Sequence, residues 1–156
     1  MFTHEHTSDR SIGVQQLTAF EEIRLVKARY CRFIDTQQWD EFARLFCPDA
    51  RLTFYDVRGA VLYTFSNLER FLVSTRETLA GAHSIHQVHN SEIELMSAGS
   101  ARAIWSMEDR ITYGDGAQHD FHSLRGFGHY HDTFQCRGGR WLIKTLELKR
   151  TMLRIE

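Results

Sequence analysis

The sequence has a single proline, Pro48, and no repeat, low-complexity tract or linker-like stretch, which argues against division into tethered modules. Cysteine is scarce too. Cys31, Cys47 and Cys136 are odd in number and lack paired spacing, which excludes a disulfide framework. They read as buried small hydrophobes of a reducing compartment. Charge of either sign is not in excess: the formal net charge is −1 and the basic residues are scattered. No global field therefore steers the chain toward nucleic acid or an anionic membrane. No run approaches the roughly 18 apolar residues of a membrane helix. Residues Met1 to Asp9 are polar rather than basic-then-apolar, so cytoplasm is the expected location.

What remains is the composition of one globular domain. Hydrophobic residues make up 42% and charged residues 25% of the chain, and 156 residues suffice to bury a core. Residues 1–13 read as a mobile or partner-bound tail, and residues 14–156 as a single domain. Leu17, Phe20, Ile23, Val26, Tyr30, Phe33 and Ile34 recur at helical spacing, and this helix should stop near Asp35 and Thr36. A short second helix carries Trp39, Phe42 and Phe46, with Pro48 just beyond it. Ser66 to Glu69 match a capping box that opens a third helix, closed by Gly81. Strands are expected at 51–55, 60–65, 84–95, 101–113, 119–136 and 140–151. Helices first and long antiparallel strands after define an α+β order. A curved sheet wrapped on such helices encloses a cavity suited to a small ligand.

Strand parity then identifies polar residues on apolar faces. Asp109 shares a face with Trp105 and Met107, which is costly unless the carboxylate is paired or protonated. A shift of frame, a structural salt bridge and a functional acid all satisfy that pattern. Tyr30 lies one turn from Val26 and Ile34, so its hydroxyl needs a partner, whether a backbone acceptor or a ligand. Asp35 falls at a helix C-terminus, a poor place for an anion unless it caps the next helix or holds a cation. Seven of the nine histidines lie between His83 and His131. On a strand His86 and Val88 share one face while His83, Ile85 and His89 share the other. One inward histidine beside an acid can move a proton near neutral pH. A metal site needs three converging ligands, which the every-third spacing splits across the strand; His129 and His131 share a face at a spacing that can ligate metal, so a metal site is the minority alternative and none is the expectation. In the last strand parity changes between Ile143 and Leu146, which predicts a bulge near Lys144 and Thr145 and leaves Arg150 on the side of Leu146 and Leu148. There it can pair with an acid or bind an anionic group.

The stretches IRLVKARYCRFIDTQQWD at 23–40, LFCPDARLTFY at 45–55, IHQVHNSEIEL at 85–95, ARAIWSMEDRITY at 101–113 and GFGHYHDTFQCRGGRWLI at 126–143 resemble SnoaL-like domains of the nuclear transport factor 2-like, cystatin-like superfamily. That resemblance implies a cone: a curved mixed or antiparallel sheet around about three helices, with a pocket at the open end. The match is best to the bile-acid dehydratase type. Tyr30 and Asp35 fit its helix-one pair, Tyr55 its first-strand tyrosine, and His86 the histidine three residues before a second one. Asp109 fits the acid four residues after a strand tryptophan, and Arg150 the arginine nine residues after the last tryptophan.

The resemblance implies a cofactor-free dehydratase acting on a small cyclic or steroid-like hydroxyl compound. His86 and Asp35 would form the acid–base pair, and Tyr30 and Tyr55 would hydrogen-bond the substrate oxygen. Asp109, Arg150 and His129 would bind substrate. A ketosteroid-type isomerase and a non-catalytic ligand-binding module are the alternatives; the isomerase base would fall near Asp56, where Val57 and the flanking loop depart from that pattern. The superfamily also implies a homodimer or homotrimer.

Overall fold

The computed structural model describes residues 7–114 and 121–156. Three helices, α1 (Thr7–Asp35), α2 (Trp39–Ala43) and α3 (Leu68–Thr78), accompany six strands. The strands are β1 (Phe46–Tyr55), β2 (Val61–Phe65), β3 (Ala82–Ser97), β4 (Ser100–Tyr113), β5 (Ser123–Arg137) and β6 (Arg140–Ile155). They form one curved sheet in the order β2-β1-β6-β5-β4-β3. All neighbours are antiparallel except β1 and β6, so the sheet is mixed. The helix expected from residue 14 begins at Thr7, which makes 7–13 helical; residues 1–6 and the expected strand start at 119–120 lie outside the described residues.

Alternation fixes which face each strand buries. Ala101, Ala103, Trp105, Met107, Asp109, Ile111 and Tyr113 of β4 are all buried, while the residues between them are more exposed. Opposed residues in neighbouring strands share a face, so His86 of β3, Asp109 of β4 and Gly126 of β5 form one row on the core side. Several irregularities shift that parity. In β6 Lys144 is the extra residue opposite Thr133 and Phe134, where the bulge was expected, and Thr151 is a second one opposite Phe127 and Gly128. In β3 His89 and Asn90 together oppose the single residue Ser106, so the core face passes from His86 and Val88 to Ser91, Ile93 and Leu95.

Pro48 does not follow a helix end at a distance. It lies inside β1, between Phe46, paired with Ile143, and Arg51, paired with Thr145, where the ladder is interrupted and a missing N–H costs nothing. The third helix is capped one residue later than the sequence pattern suggests: the Asn67 side chain, not Ser66, accepts from the Arg70 N–H.

Between the helices and β1 the core is aromatic. Tyr30, Phe42, Phe46 and Phe71 meet at centroid distances of 5.1–6.2 Å in tilted and edge-on contacts. Among the described residues no helix is long and apolar enough to cross a membrane.

Candidate active site

The end of α1 positions the first acid. Gln37 takes a left-handed conformation (φ 54°), the Gln38 N–H bonds back to Phe33 O at 2.8 Å and the Gln37 N–H to Ile34 O at 3.2 Å. This stops the helix directly after Asp35 and turns its carboxylate toward β3. A carboxylate at a helix C-terminus is electrostatically misplaced. Three donors offset that cost here. The His86 N–H donates to Asp35 Oδ2 at 2.7 Å, the Ser84 hydroxyl to Oδ1 at 2.9 Å, and His86 Nδ1 lies 2.6 Å from Oδ1. With Nδ1 held by the acid, Nε2 is the nitrogen left for a proton transfer. α2 is capped at Gln38 without a side-chain bond, so Asp35 serves β3 and not the following helix.

Across the row from His86 stands a second ion pair. Arg150 donates from Nη1 to Asp109 Oδ1 at 3.0 Å and from Nη2 to Oδ2 at 2.6 Å, a bidentate clasp. The salt-bridge alternative for Asp109 is therefore the geometry found. Burial alone would lower the Arg150 pKa, but the Asp109 carboxylate outweighs it and holds the guanidinium charged. The clasp fits only because β5 carries glycine in the row. A Cβ on Gly126 would overlap the guanidinium, coming 2.8 Å from Arg150 Cζ, and one on Gly128 would lie 2.8 Å from Arg150 Cα at the bulge. Solvent still reaches this row: side-chain exposure is 8% at His86, 19% at Asp35 and 13% at Arg150.

Tyr30 is buried deeper, at 2% exposure. Its ring meets Tyr130 edge-on at 5.8 Å, and the neighbouring Tyr130 side chain offsets part of the rise that burial gives its pKa. Burial pushes both phenols far above the ordinary tyrosine range, so both stay neutral donors. The Asp109 carboxylate adds to the rise at both phenols.

Two expected site residues lie elsewhere. Tyr55 pairs in register with Lys149, whose Nζ stands 5.8 Å over its ring, on the opposite face of the sheet from His86; Phe54 takes the inward position and packs on Phe65 and Phe71. His129 is opposed to Ser106 and Lys149, on that same outer face. His131 joins it there, its pKa lowered chiefly by desolvation and then by Lys149. His83 and His89 are exposed on β3, the latter 3.7 Å from Glu108. Among the described residues no three histidine, cysteine or acidic side chains converge on a point that could hold a metal ion. A concavity of about 680 Å³ also opens on the outer face, lined by Glu94, Arg102, Ile104, His131 and Glu147, with the sheet between it and His86.

Sequence reasoning missed one cluster. Lys27 and Asp132 form an ion pair of 2.8 Å with both side chains fully buried. The signal was present: Lys27 is four residues from Ile23 and three from Tyr30 on the apolar stripe, and Asp132 alternates with Tyr130 and Phe134.

This arrangement can be set beside known proteins. The SnoaL-like domain family profile matches residues 15–147. The chain belongs to the SnoaL-like family. The curated protein "Probable cyclase FGR4" of Gibberella zeae is 28% identical over 136 residues, 82% of this chain and 88% of that protein. Among solved structures, a protein provisionally named scytalone dehydratase from Novosphingobium aromaticivorans superposes with a TM-score of 0.80 at 18% identity, covering 92% of this chain and 91% of that one. A hexachlorocyclohexane dehydrochlorinase from Novosphingobium barchaimii gives a TM-score of 0.75 at 19% identity over 92% and 94% of the two chains. At such identities the superpositions establish the SnoaL-like cone.

Proposed function

We propose that this SnoaL-like protein is a cofactor-free lyase that eliminates water from a small cyclic hydroxy-carbonyl compound. The observation that carries the reading is the His86–Asp35 contact, 2.6 Å long, with the second imidazole nitrogen left for substrate. His86 Nε2 takes the proton from the carbon next to the carbonyl. Asp35 holds the tautomer in which Nε2 is unprotonated and stabilises the imidazolium that forms, the logic of a His–Asp pair in unrelated hydrolases. The neutral Tyr30 hydroxyl donates to the carbonyl oxygen as enolate charge develops on it. The imidazolium then returns its proton to the departing hydroxyl. Arg150 spends two of its five N–H donors on Asp109, and the others can bind a substrate oxygen. Two of the structurally similar proteins support this scheme, since dehydratases and dehydrochlorinases both remove a proton and a leaving group from neighbouring carbons.

The test is incubation in D2O with a panel of cyclic β-hydroxy ketones, followed by mass spectrometry. Loss of water, with deuterium entering recovered substrate next to the carbonyl, is the expected result. A panel of cyclic β,γ-unsaturated ketones is run in parallel; a double bond shifted into conjugation there, with no water lost from the hydroxy ketones, would make the protein an isomerase. Compounds that bind, by NMR shift perturbation, yet neither dehydrate nor exchange would make it a binding module and sink the proposal. On an accepted substrate, Tyr30→Phe should lower kcat about tenfold, the worth of one hydrogen bond of about 1.4 kcal/mol that forms with the charge. Because burial keeps Tyr30 protonated well above pH 10, no alkaline limb of the profile should come from this residue, and Tyr30→Phe should leave the profile's shape unchanged.

A further inference from the structure

The fully buried Lys27 and Asp132 touch neither His86 nor Arg150, and their placement is physically expensive. Removing two charges from water costs several kcal/mol per ion. Their contact is close, Nζ to Oδ2 at 2.8 Å, yet burial still raises the Asp132 pKa against the opposing pull of the Lys27 ammonium and the Trp105 indole. An apolar pair of the same volume would hold this core at least as well. What such a pair would not supply is the ammonium's position. Lys27 Nζ lies 3.5 Å from the centroid of the Tyr130 ring and 4.4 Å from that of Tyr30. A desolvated cation over an aromatic face is an orienting interaction, and one ammonium here serves both rings of the edge-on tyrosine pair. Asp132, two residues beyond Tyr130 on the same face of β5, holds the ammonium there.

We propose that Lys27 and Asp132 are positioning residues: their ion pair clamps Tyr130 and Tyr30 so that Tyr130 donates to the Tyr30 oxygen and leaves the Tyr30 proton directed at the substrate. The two phenols then act in series. As the Tyr30 proton moves toward a developing enolate, the bond from Tyr130 strengthens behind it. This rests on the elimination proposed above for the role of Tyr30, but the clamp itself can be read without a substrate.

The test uses the full chain with tyrosine labelled at 13Cζ, the Tyr30 resonance being assigned by its loss in Tyr30→Phe. Lys27→Met alone strands a buried carboxylate and can fail to fold. The double variant Lys27→Met/Asp132→Leu removes both charges at similar volume and should keep or raise Tm. In that double variant the Tyr30 resonance should shift in the same direction as in Tyr130→Phe. On an accepted substrate kcat should fall about fivefold with KM little changed. A purely structural pair would move Tm and neither of these, so an unmoved Tyr30 resonance or an unmoved kcat in a folded double variant overturns the proposal. His86→Ala is measured in parallel. If its turnover matches wild type the elimination mechanism fails, and the tyrosine resonance alone then decides the clamp.

Discussion

Replacing His86 with alanine should lower the elimination rate by about 10²–10⁴-fold while the protein remains folded, because that is the range one positioned acid–base group supplies. The fold should survive because the His86 backbone N–H, not its ring, makes the bond to Asp35 Oδ2, and the Ser84 hydroxyl still satisfies Oδ1. The change is thus confined to one imidazole with 8% exposure. Asp35→Asn is the sharper companion. An amide nitrogen facing Nδ1 turns that ring atom into the acceptor, so the proton moves to Nε2 and the base is lost with the geometry intact. The same amide cannot accept from both the His86 N–H and the Ser84 hydroxyl as two carboxylate oxygens do, so a modest fall in Tm should accompany it. Steady-state rates and thermal melts of both variants separate the readings. If His86→Ala keeps wild-type turnover with wild-type Tm, this imidazole is not the base.

The contrast between what the sequence discloses and what it hides follows from period. Wherever a face keeps its alternation, side-chain direction can be read: Asp109 beside Trp105 and Met107 needed only counting by two, and the break between Ile143 and Leu146 located the bulge at Lys144. The helix stripe likewise placed Tyr30 inside. Tyr55 failed for a different reason. The family pattern matches the residue, but here the strand presents Phe54 inward and Tyr55 outward, and a match of residue type carries no parity. His129 failed by parity outright, since Tyr130 and Asp132 take the inner face of β5. The Lys27–Asp132 pair was hidden because a lysine on an apolar helix stripe looks like an edge residue until a strand acid is known to face it. Gly126 and Gly128 offered a signal as well: two glycines alternating on the inner face of a strand imply a large group lying over them. Two of these misses were thus of parity, and the third was of a contact between elements far apart in the chain.

Arg150→Met tests the largest such contact. It should destabilise the protein by about 3–5 kcal/mol, since it leaves the Asp109 carboxylate, 3% exposed, buried without its cation. For a domain of this size that is a fall in Tm of roughly 10 °C. Gly126→Ala should act on the same clasp from the other side. The added methyl enters the space of the guanidinium, and both overpacking and a lengthened ion pair follow, for a loss of about 1–3 kcal/mol. Removing both charges together, as Asp109→Leu/Arg150→Met, should return most of the stability, because the penalty in the single variant belongs to the orphaned carboxylate and not to a missing attraction. Activity should not return with it. If Arg150 binds a substrate oxygen, the restored double variant stays inactive or shows a KM raised at least tenfold. Recovery of turnover together with Tm would mean that the clasp only braces β4, β5 and β6, and that substrate is held by groups other than Arg150.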